Sequence, residues 1–430
     1  MGVDDGDAAD GAATTTHVLD IQSDWQTTAD DSFWVSSSDR VVLLNPDPIA
    51  GADVVLYSAS PTVIHSVHKT NRGIASSPYH ITGQSRYGLT IASELYSTTF
   101  YTPHAQTSMQ TQLYAVSTSP NGAFVGVGGA DGLFHLTQIP THTSLHLAGH
   151  VADVTHVAFF PSSLVALTGS TDFSLRIWSL QSFKCGAVLR GHRGAICGIG
   201  ILGRGRNVVS CAHDRLVKLW HCGTSYSFRD WALSSTPRCL NVTSALPREP
   251  HDLVEPLGIE PNNMEFETSS TWLVVGTDAG CTVLDARAPT PVTLLPHSAA
   301  VTSCATKSLD SATLLITGTE HGVVSSYDMR YEKRPLCMVS RSGADVRSIQ
   351  WADKSMDVWV ATADGSCTRW SGLVSDGRSP QVTGELVGPT YDAVNGVSVS
   401  VGGTLSTVSR DGILRSYDIA AATRSQPNAA

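Results

Sequence analysis

The chain has 430 residues, of which 41% are hydrophobic and 15% are charged, and its formal net charge is −10. This composition allows a sizeable buried core and argues against a largely disordered chain. The acidic balance does not favour nucleic acid as a partner, because surfaces that bind phosphates are basic. No apolar run reaches the roughly 18 residues of a membrane span, so we expect no membrane partner.

The nine cysteines indicate the compartment. None forms a Cys-x-x-Cys pair, and most lie in apolar segments that are typical of strands. We therefore expect reduced thiols in a cytoplasmic or nuclear protein, with no metal and no cofactor. The first residues lack a basic stretch followed by an apolar one, so we also expect no secretory signal.

The first 88 residues precede any repeat. Residues 1–16 contain four Asp and no Lys or Arg, which predicts a disordered acidic tail. Residues 17–88 contain β-like stretches, such as 33–35 and 54–57, bounded by Pro and Gly. They predict a small β-rich N-terminal domain.

A period of 42 residues is evident in the middle of the chain. Three landmark residues recur in two successive units, with 22 residues from His to Asp and six from Asp to Trp. The landmarks are His150, Asp172 and Trp178 in one unit and His192, Asp214 and Trp220 in the next. This spacing is typical of the four-stranded blade of a β-propeller.

The Asp landmark continues along the chain at similar steps. Its position, in a turn between two strand-like segments, is occupied by Asp131, Asp172, Asp214, Ala279, His321, Asp364 and Asp411. Seven positions predict an all-β, seven-bladed WD-repeat β-propeller over residues 89–419. The one long step contains an acidic insertion, residues 247–269, which we interpret as a solvated loop on the face opposite the Asp turns.

A propeller must also close its ring. Residues 420–430 are short, small and polar, so we expect them to be a disordered tail. The outer strand of the last blade should then come from upstream of the first unit, within residues 89–104.

A hydroxyl residue accompanies each His–Asp pair. The two sets are His150, Thr168, Asp172 and Trp178, and His192, Ser210, Asp214 and Trp220. Each resembles a nucleophilic triad, but the set occurs twice and includes an indole, for which a triad has no role. We interpret it as a buried structural relay in which Asp orients His, His meets the hydroxyl, and the hydroxyl meets the Trp N–H. We therefore expect no enzymatic activity.

The spacing of three histidines resembles that of metal ligands, but their surroundings argue against a metal site. His142, His146 and His150 are four residues apart, as ligands on one helix face would be. Pro140 precedes them in a segment between blades, where no helix is expected. We predict no metal site here.

Binding is expected at the face that carries the landmark turns, because loops on a rigid scaffold carry function. The candidates follow each His position or precede each Asp position: Asp153, Arg193, Asp278, Glu320, Arg341, Asp345, Asp392 and Arg410. The acidic excess among them predicts a charged partner surface.

Several motifs go beyond the landmarks of a generic propeller repeat. They include Ile21–Trp25, Phe159–Ser162, Arg204–Ser210 and Arg410–Gly412. With them the chain resembles the proteasomal ATPase-associated factor family, WD-repeat chaperones that assist assembly of the base of the proteasome regulatory particle. The resemblance covers nearly the whole chain, residues 26–100 least well.

The resemblance implies binding to a proteasomal AAA-ATPase subunit, and we expect contact with that subunit's C-terminal domain and a monomeric chain. The alternative is a generic WD-repeat adaptor, such as a substrate receptor of a ubiquitin ligase. A helical ligase-docking motif would favour the adaptor, and none is evident in the sequence.

Overall fold

The structure of the protein is a computed structural model. It describes residues 13–21, 32–43, 56–58, 63–68, 80–93, 97–139, 143–243, 264–268, 271–309, 312–330, 334–353, 355–374, 379–389 and 391–424. These residues form β-strands joined by short turns, with one short helix near residue 420. None of the helical structure described is long and apolar enough to cross a membrane.

The chain begins with a four-stranded antiparallel sheet, the N-terminal sheet. Its central strand pairs with the first strand on one side and with the third and fourth on the other. The strands are β1 (Ala13–Ile21), β2 (Ser32–Leu43), β3 (Leu56–Ser58) and β4 (Val63–His68). Residues 13–16, predicted as part of a disordered tail, therefore lie in β1, and residues 1–12 lie outside the described part.

The next strands do not form a separate unit. They are β5 (His80–Ser85), β6 (Gly88–Ala92), β7 (Ser97–Tyr101) and β8 (Ala105–Ser108). Leu89, Ile91 and Phe100 of this segment share one apolar cluster with Leu19 and Val35 of the N-terminal sheet. The predicted boundary at residue 88 therefore falls inside both a hairpin and a shared core.

Five four-stranded blades follow, each an antiparallel sheet with its first strand innermost. The first blade is β9 (Leu113–Thr118), β10 (Phe124–Gly129), β11 (Leu133–Gln138) and β12 (Thr143–Ala148). The second is β13 (Val154–Phe159), β14 (Val165–Ser170), β15 (Ser174–Ser179) and β16 (Lys184–Arg190). The third is β17 (Ile196–Leu202), β18 (Asn207–Ala212), β19 (Leu216–His221) and β20 (Tyr226–Ala232).

The fourth and fifth blades repeat this order. The fourth is β21 (Pro237–Thr243), β22 (Trp272–Thr277), β23 (Gly280–Asp285) and β24 (Pro291–Pro296). The fifth is β25 (Val301–Ser308), β26 (Thr313–Thr319), β27 (Val323–Asp328) and β28 (Cys337–Ser340). Their middle strands are buried along their whole length, because each blade packs between two neighbours.

The unit around Asp364 departs from the four-stranded pattern. Its strands are β29 (Val346–Trp351), β30 (Val358–Thr362), β31 (Cys367–Ser371) and β32 (Gln381–Leu386). β7 pairs in parallel with β32, and β6 and β5 follow, so that the sheet has seven strands in the order β29-β30-β31-β32-β7-β6-β5. The apolar strands at residues 89–101 thus widen this sheet instead of closing the ring.

The last sheet, which we name the closing blade, completes the ring. It contains β33 (Val394–Val399), β34 (Thr404–Ser409) and β35 (Ile413–Asp418), with β8 as its outer strand. Thr107 of β8 lies opposite Leu414 of β35. Closure from upstream of the first blade is as predicted, but the segment is Ala105–Ser108, just beyond the predicted window of 89–104.

The described part of the ring therefore contains six four-stranded blades, not seven, together with the seven-stranded sheet. The innermost strands pack side by side around a central channel, and β33 of the closing blade packs against β9 of the first. The prediction of seven four-stranded blades is wrong because the repeat period detects the landmark turn but not the added strands.

A short helix, α1 (Ile419–Arg424), follows β35. Asp418 accepts a hydrogen bond from the Ala421 N–H at 2.8 Å, as a helix-capping side chain does. Ala422 is buried in the cluster that includes Trp359 and Tyr417. The predicted disordered tail, residues 420–430, is therefore ordered at least to Arg424.

The acidic insertion is described only at its C-terminal end, residues 264–268. This end lies beside the start of β18, at the opposite end of the strand from the Asp214 turn, as predicted. Buried Asn207 donates to the Met264 carbonyl at 3.0 Å and accepts from the Phe266 N–H at 2.6 Å. Glu265 forms an ion pair with Arg229. This end of the insertion thus packs against the third blade, which a purely solvated loop would not do.

Gly412→Ala should lower the midpoint of thermal unfolding more than Gly122→Ala. Both glycines have positive φ, 78° and 69°, so either substitution strains the backbone by about 1 kcal/mol. At Gly412 a Cβ would also lie 2.5 Å from the Thr111 carbonyl oxygen beside the closing seam, whereas nothing lies within 4 Å at Gly122. Calorimetry of both variants checks this, and equal shifts would contradict the close packing of the seam.

Candidate functional site

The second blade contains the predicted relay. Asp172 in the β14–β15 turn accepts from His150 Nδ1 at 2.8 Å, which leaves His150 Nε2 to accept the Thr168 hydroxyl at 2.8 Å. The Trp178 indole N–H donates to the same hydroxyl oxygen at 2.9 Å. Three polar side chains and one indole therefore join the loop before β13 to strands β14 and β15.

The third blade repeats the relay atom for atom. His192 Nδ1 lies 2.9 Å from Asp214, and its Nε2 lies 2.8 Å from the Ser210 hydroxyl, which also accepts from Trp220 at 2.9 Å. Each Asp also accepts a main-chain N–H from the residue after its His, Val151 or Arg193. The carboxylates thereby hold the loop as well as the imidazole.

Burial fixes the protonation of these groups. Both imidazole side chains are 0% exposed, and this burial lowers the pKa of His150 and of His192 against the opposing effect of the paired carboxylate. Burial would raise the pKa of Asp172, but hydrogen bonds from Ser174 and His150 outweigh it and lower that pKa. The relay is therefore a neutral imidazole held by a carboxylate.

Other Asp positions carry variants of the same network, which the fixed spacing did not identify. Asp131 binds His135 on β11 at 2.9 Å, and His135 in turn lies 2.6 Å from His146. Asp411 binds the buried Arg415 of β35. In both cases the partner comes from the third strand of the blade instead of the preceding loop. A search for any His or Arg four residues after the Asp would have found both.

The fifth blade keeps the imidazole and loses the carboxylate. His297 contacts the Thr317 hydroxyl at 2.9 Å and the Tyr327 hydroxyl at 3.2 Å. Its other nitrogen faces the Leu295 carbonyl. Among the described residues no group of three potential ligands is placed to hold a metal ion; His142 lies outside them.

The candidate partner-binding residues occupy the end of the propeller that carries the Asp turns, which we name the landmark face. Arg193, Asp278, Glu320 and Arg410 are exposed there, and Asp153, Asp345 and Asp392 are half-buried. Asp153 lies close enough to the Tyr114 hydroxyl to raise the pKa of that tyrosine beyond the effect of burial.

Arg341 does not belong to this surface. Its side chain is 10% exposed and forms ion pairs with Asp20 of the N-terminal sheet and, at 3.0 Å, with Glu385 of β32. Burial raises the pKa of Glu385 to about 7 against the influence of Arg341. The prediction that Arg341 faces a partner is wrong, because it instead ties the N-terminal sheet to the seven-stranded sheet.

Two arginines near the channel mouth were missed by the sequence analysis. Arg238 binds Asp278 at 2.6 Å, and Arg347 binds Asp345 at 3.1 Å. Both follow the first residue of an innermost strand, a position that the search through the landmark turns did not include. They partly neutralise two of the predicted acidic candidates.

Exposed apolar side chains lie among these charges. Val151 and Tyr391 are 88% and 93% exposed, and Phe173 is 47% exposed. Each is next to a landmark-face residue: His150, Asp392 and Asp172 respectively. The face therefore offers apolar contacts together with its carboxylates.

Comparison with known proteins agrees with the geometry. Residues 140–179 and 183–221 match the WD domain, G-beta repeat. The chain is an all-β protein of the WD-repeat β-propeller class.

The relatives of this chain include a proteasome subunit. This chain is 26% identical over 255 residues to the 26S proteasome regulatory subunit RPN14 of Saccharomyces cerevisiae. The match covers 58% of this chain and 60% of that protein. This chain is 30% identical over 148 residues to transducin beta-like protein 3 of Rattus norvegicus, covering 34% of this chain and 18% of that protein. The chain thus spans less than two thirds of each of these relatives. The first match supports the proteasomal resemblance in part.

Asp214→Ala should lower the stability of the folded chain by about 1–3 kcal/mol, because it leaves a buried imidazole and a loop N–H without their acceptor. Arg193→Ala is the matched control: its side chain is exposed, and the main-chain N–H that binds Asp214 is retained. Denaturant titration of both variants measures the difference. An Arg193→Ala variant as unstable as Asp214→Ala would show that the relay is not what stabilises this turn.

Acid should destabilise the propeller through His150 and His192. Their folded pKa values lie below the ordinary 6.5, so the unfolded chain takes up protons first. The stability they contribute is complete above about pH 6.5 and is lost as the pH falls toward the folded pKa. Replacing both with Asn should reduce the pH dependence of the melting temperature between about pH 7 and 5. The dependence that remains comes from other buried histidines whose pKa is lowered, such as His135, His156 and His297. An unchanged slope in the double variant would show that neither imidazole links stability to pH.

Proposed function

We propose that the chain is a non-enzymatic protein-binding scaffold that assists assembly of the base of the proteasome regulatory particle. Its partner is the C-terminal domain of an AAA-ATPase subunit, bound at the landmark face. The observation that carries the proposal is the similarity to a proteasome regulatory subunit over more than half of this chain. The repeated blade alone would fit many scaffolds.

The burial of the relays supports a scaffold rather than an enzyme. Thr168 and Ser210, the only nucleophiles of their sets, are 0% exposed. Each hydroxyl already donates to its His and accepts from its Trp. A substrate could reach neither oxygen without unpacking a blade, and the duplication of the set in two blades fits a structural role.

The distribution of charge supports the choice of face. Asp278 and Asp345 are paired with arginines, so Asp153, Glu320 and Asp392 are the stronger candidates to meet basic side chains of a partner. Each exposed ion pair contributes only about 0.2–1 kcal/mol. Val151, Phe173 and Tyr391 supply the apolar contact that a stable interface also requires.

Reversing charge on the landmark face should weaken capture of the ATPase domain. Asp153→Lys with Glu320→Lys should slow association, and this loss should be largest at low salt. The experiment is a pulldown with the C-terminal domains of the proteasomal ATPases, followed by association kinetics at two salt concentrations, with a thermal melt of each variant.

Single reversals provide a matched control. Glu320 and Asp353 are both exposed carboxylates, but Asp353 lies in the β29–β30 loop on the opposite face. Glu320→Lys should slow binding and Asp353→Lys should not. Equal effects would remove the landmark face from the proposal. If the wild-type chain captures no ATPase domain, the generic WD-repeat adaptor becomes the better interpretation.

A further inference from the structure

Two inner strands of neighbouring blades bring a pair of thiols together at the central channel. Cys239 on β21 of the fourth blade and Cys304 on β25 of the fifth have their sulfurs 3.5 Å apart. Gly276 on β22 leaves room for this arrangement, since a Cβ there would lie 2.5 Å from the Cys239 sulfur. The two thiols therefore meet across the boundary between two blades whose strands are not hydrogen-bonded to each other.

The channel gives small molecules access to this pair. The channel contains a cavity of about 450 Å³, and the residues that line this cavity include both Cys239 and Cys304. Polar side chains such as His213, Arg238 and Asn395 line it as well, so it suits a small polar solute. Cys239 is half-buried, whereas Cys304 is 7% exposed. Cys239 is thus the more exposed residue of the pair.

A second thiol pair provides an internal comparison. Cys197 and Cys211 of the third blade also have their sulfurs 3.5 Å apart, but they are 6% and 0% exposed. Neither is among the described residues that line the channel cavity. The two pairs therefore match in sulfur separation and differ in access.

We infer that Cys239 and Cys304 form an oxidisable dithiol that reacts with hydrogen peroxide, or a similarly small hydroperoxide, entering from the central channel. The Cys239 thiolate attacks the peroxide, so that an S–O bond forms, the O–O bond breaks and one water is released after protonation. The Cys304 sulfur then attacks the Cys239 sulfur, the S–O bond breaks, and the leaving oxygen takes the remaining proton as a second water. Two thiols and one peroxide thus give one disulfide and two waters.

The product would be a covalent link between the fourth and fifth blades. The sulfurs must approach from 3.5 Å to a bond of about 2 Å. The link would close a loop of roughly 65 residues that includes the acidic insertion.

Peptide mapping of the full-length protein tests this assignment. Reduced protein is exposed to hydrogen peroxide, alkylated and digested with trypsin without a reductant. Each of the four cysteines falls in a different tryptic peptide: Gly194–Arg204, Asn207–Arg215, Cys239–Arg248 and Ala288–Lys307. The expected product is a reducible cross-link between the last two, formed at least about ten-fold faster than one between the first two.

Three results would overturn the inference. The first is alkylation of Cys239 and Cys304 as complete as that of Cys197 and Cys211. The second is equal cross-linking of both pairs, because access from the channel would then decide nothing. The third is a cross-link from Cys239 to Cys281 in place of Cys304.

Two variants separate the chemistry from folding. Cys304→Ser removes the resolving sulfur, so peroxide should leave Cys239 as a sulfenic acid that a cyclic diketone traps. Cys211→Ser removes one sulfur of the comparison pair and should leave the Cys239–Cys304 cross-link unchanged. If a thermal melt shows that Cys304→Ser does not fold, the mapping of the wild-type protein decides alone.

Discussion

The main-chain hydrogen bonds between β8 and β35 determine whether this ring exists, because an open blade would present an unpaired edge to solvent. β8 has only four residues with alternating exposure, and it buries little apolar surface of its own. It stabilises the ring through its main-chain hydrogen bonds to β35. Gly412 allows the close approach of Thr111 beside it, and the bond from Met109 N–H to the Gly412 carbonyl continues the seam. The pairing of β8 with β35 adds to the contact between β33 and β9, which closes the ring at the channel.

Within the ring, rigidity comes from hydrogen bonds between buried polar groups. The relays of the second and third blades fix the loops that hold Val151 and Arg193, so the landmark face starts from an ordered geometry. Because these loops are already ordered, they lose little conformational entropy when a partner binds the face. The Arg341 network has a comparable role at the periphery, where it joins the N-terminal sheet to β32.

The sequence predicts what is local and repeated. The relays follow from spacings of 22 and six residues, and the structure has every hydrogen bond they require. What depends on distant partners was not predictable in this way. The sequence alone suggests that Arg341 is a surface residue, because its partner Asp20 is far away in the chain. The polar segment of β8 has no hydrophobic pattern that distinguishes it from a loop. The apolar pattern of β7 does identify a strand, but it does not indicate which sheet receives it.

The position of β8 has a consequence for how the protein is made. Its partner in β35 follows roughly 300 residues later, so a ribosome synthesises the outer strand of the closing blade before any complete blade exists. Until the end of the chain emerges, both strand edges stay open while apolar blades accumulate between them. The nascent chain therefore has a long interval in which a holding factor, or a slow pace of translation near the end, would decide between ring closure and aggregation.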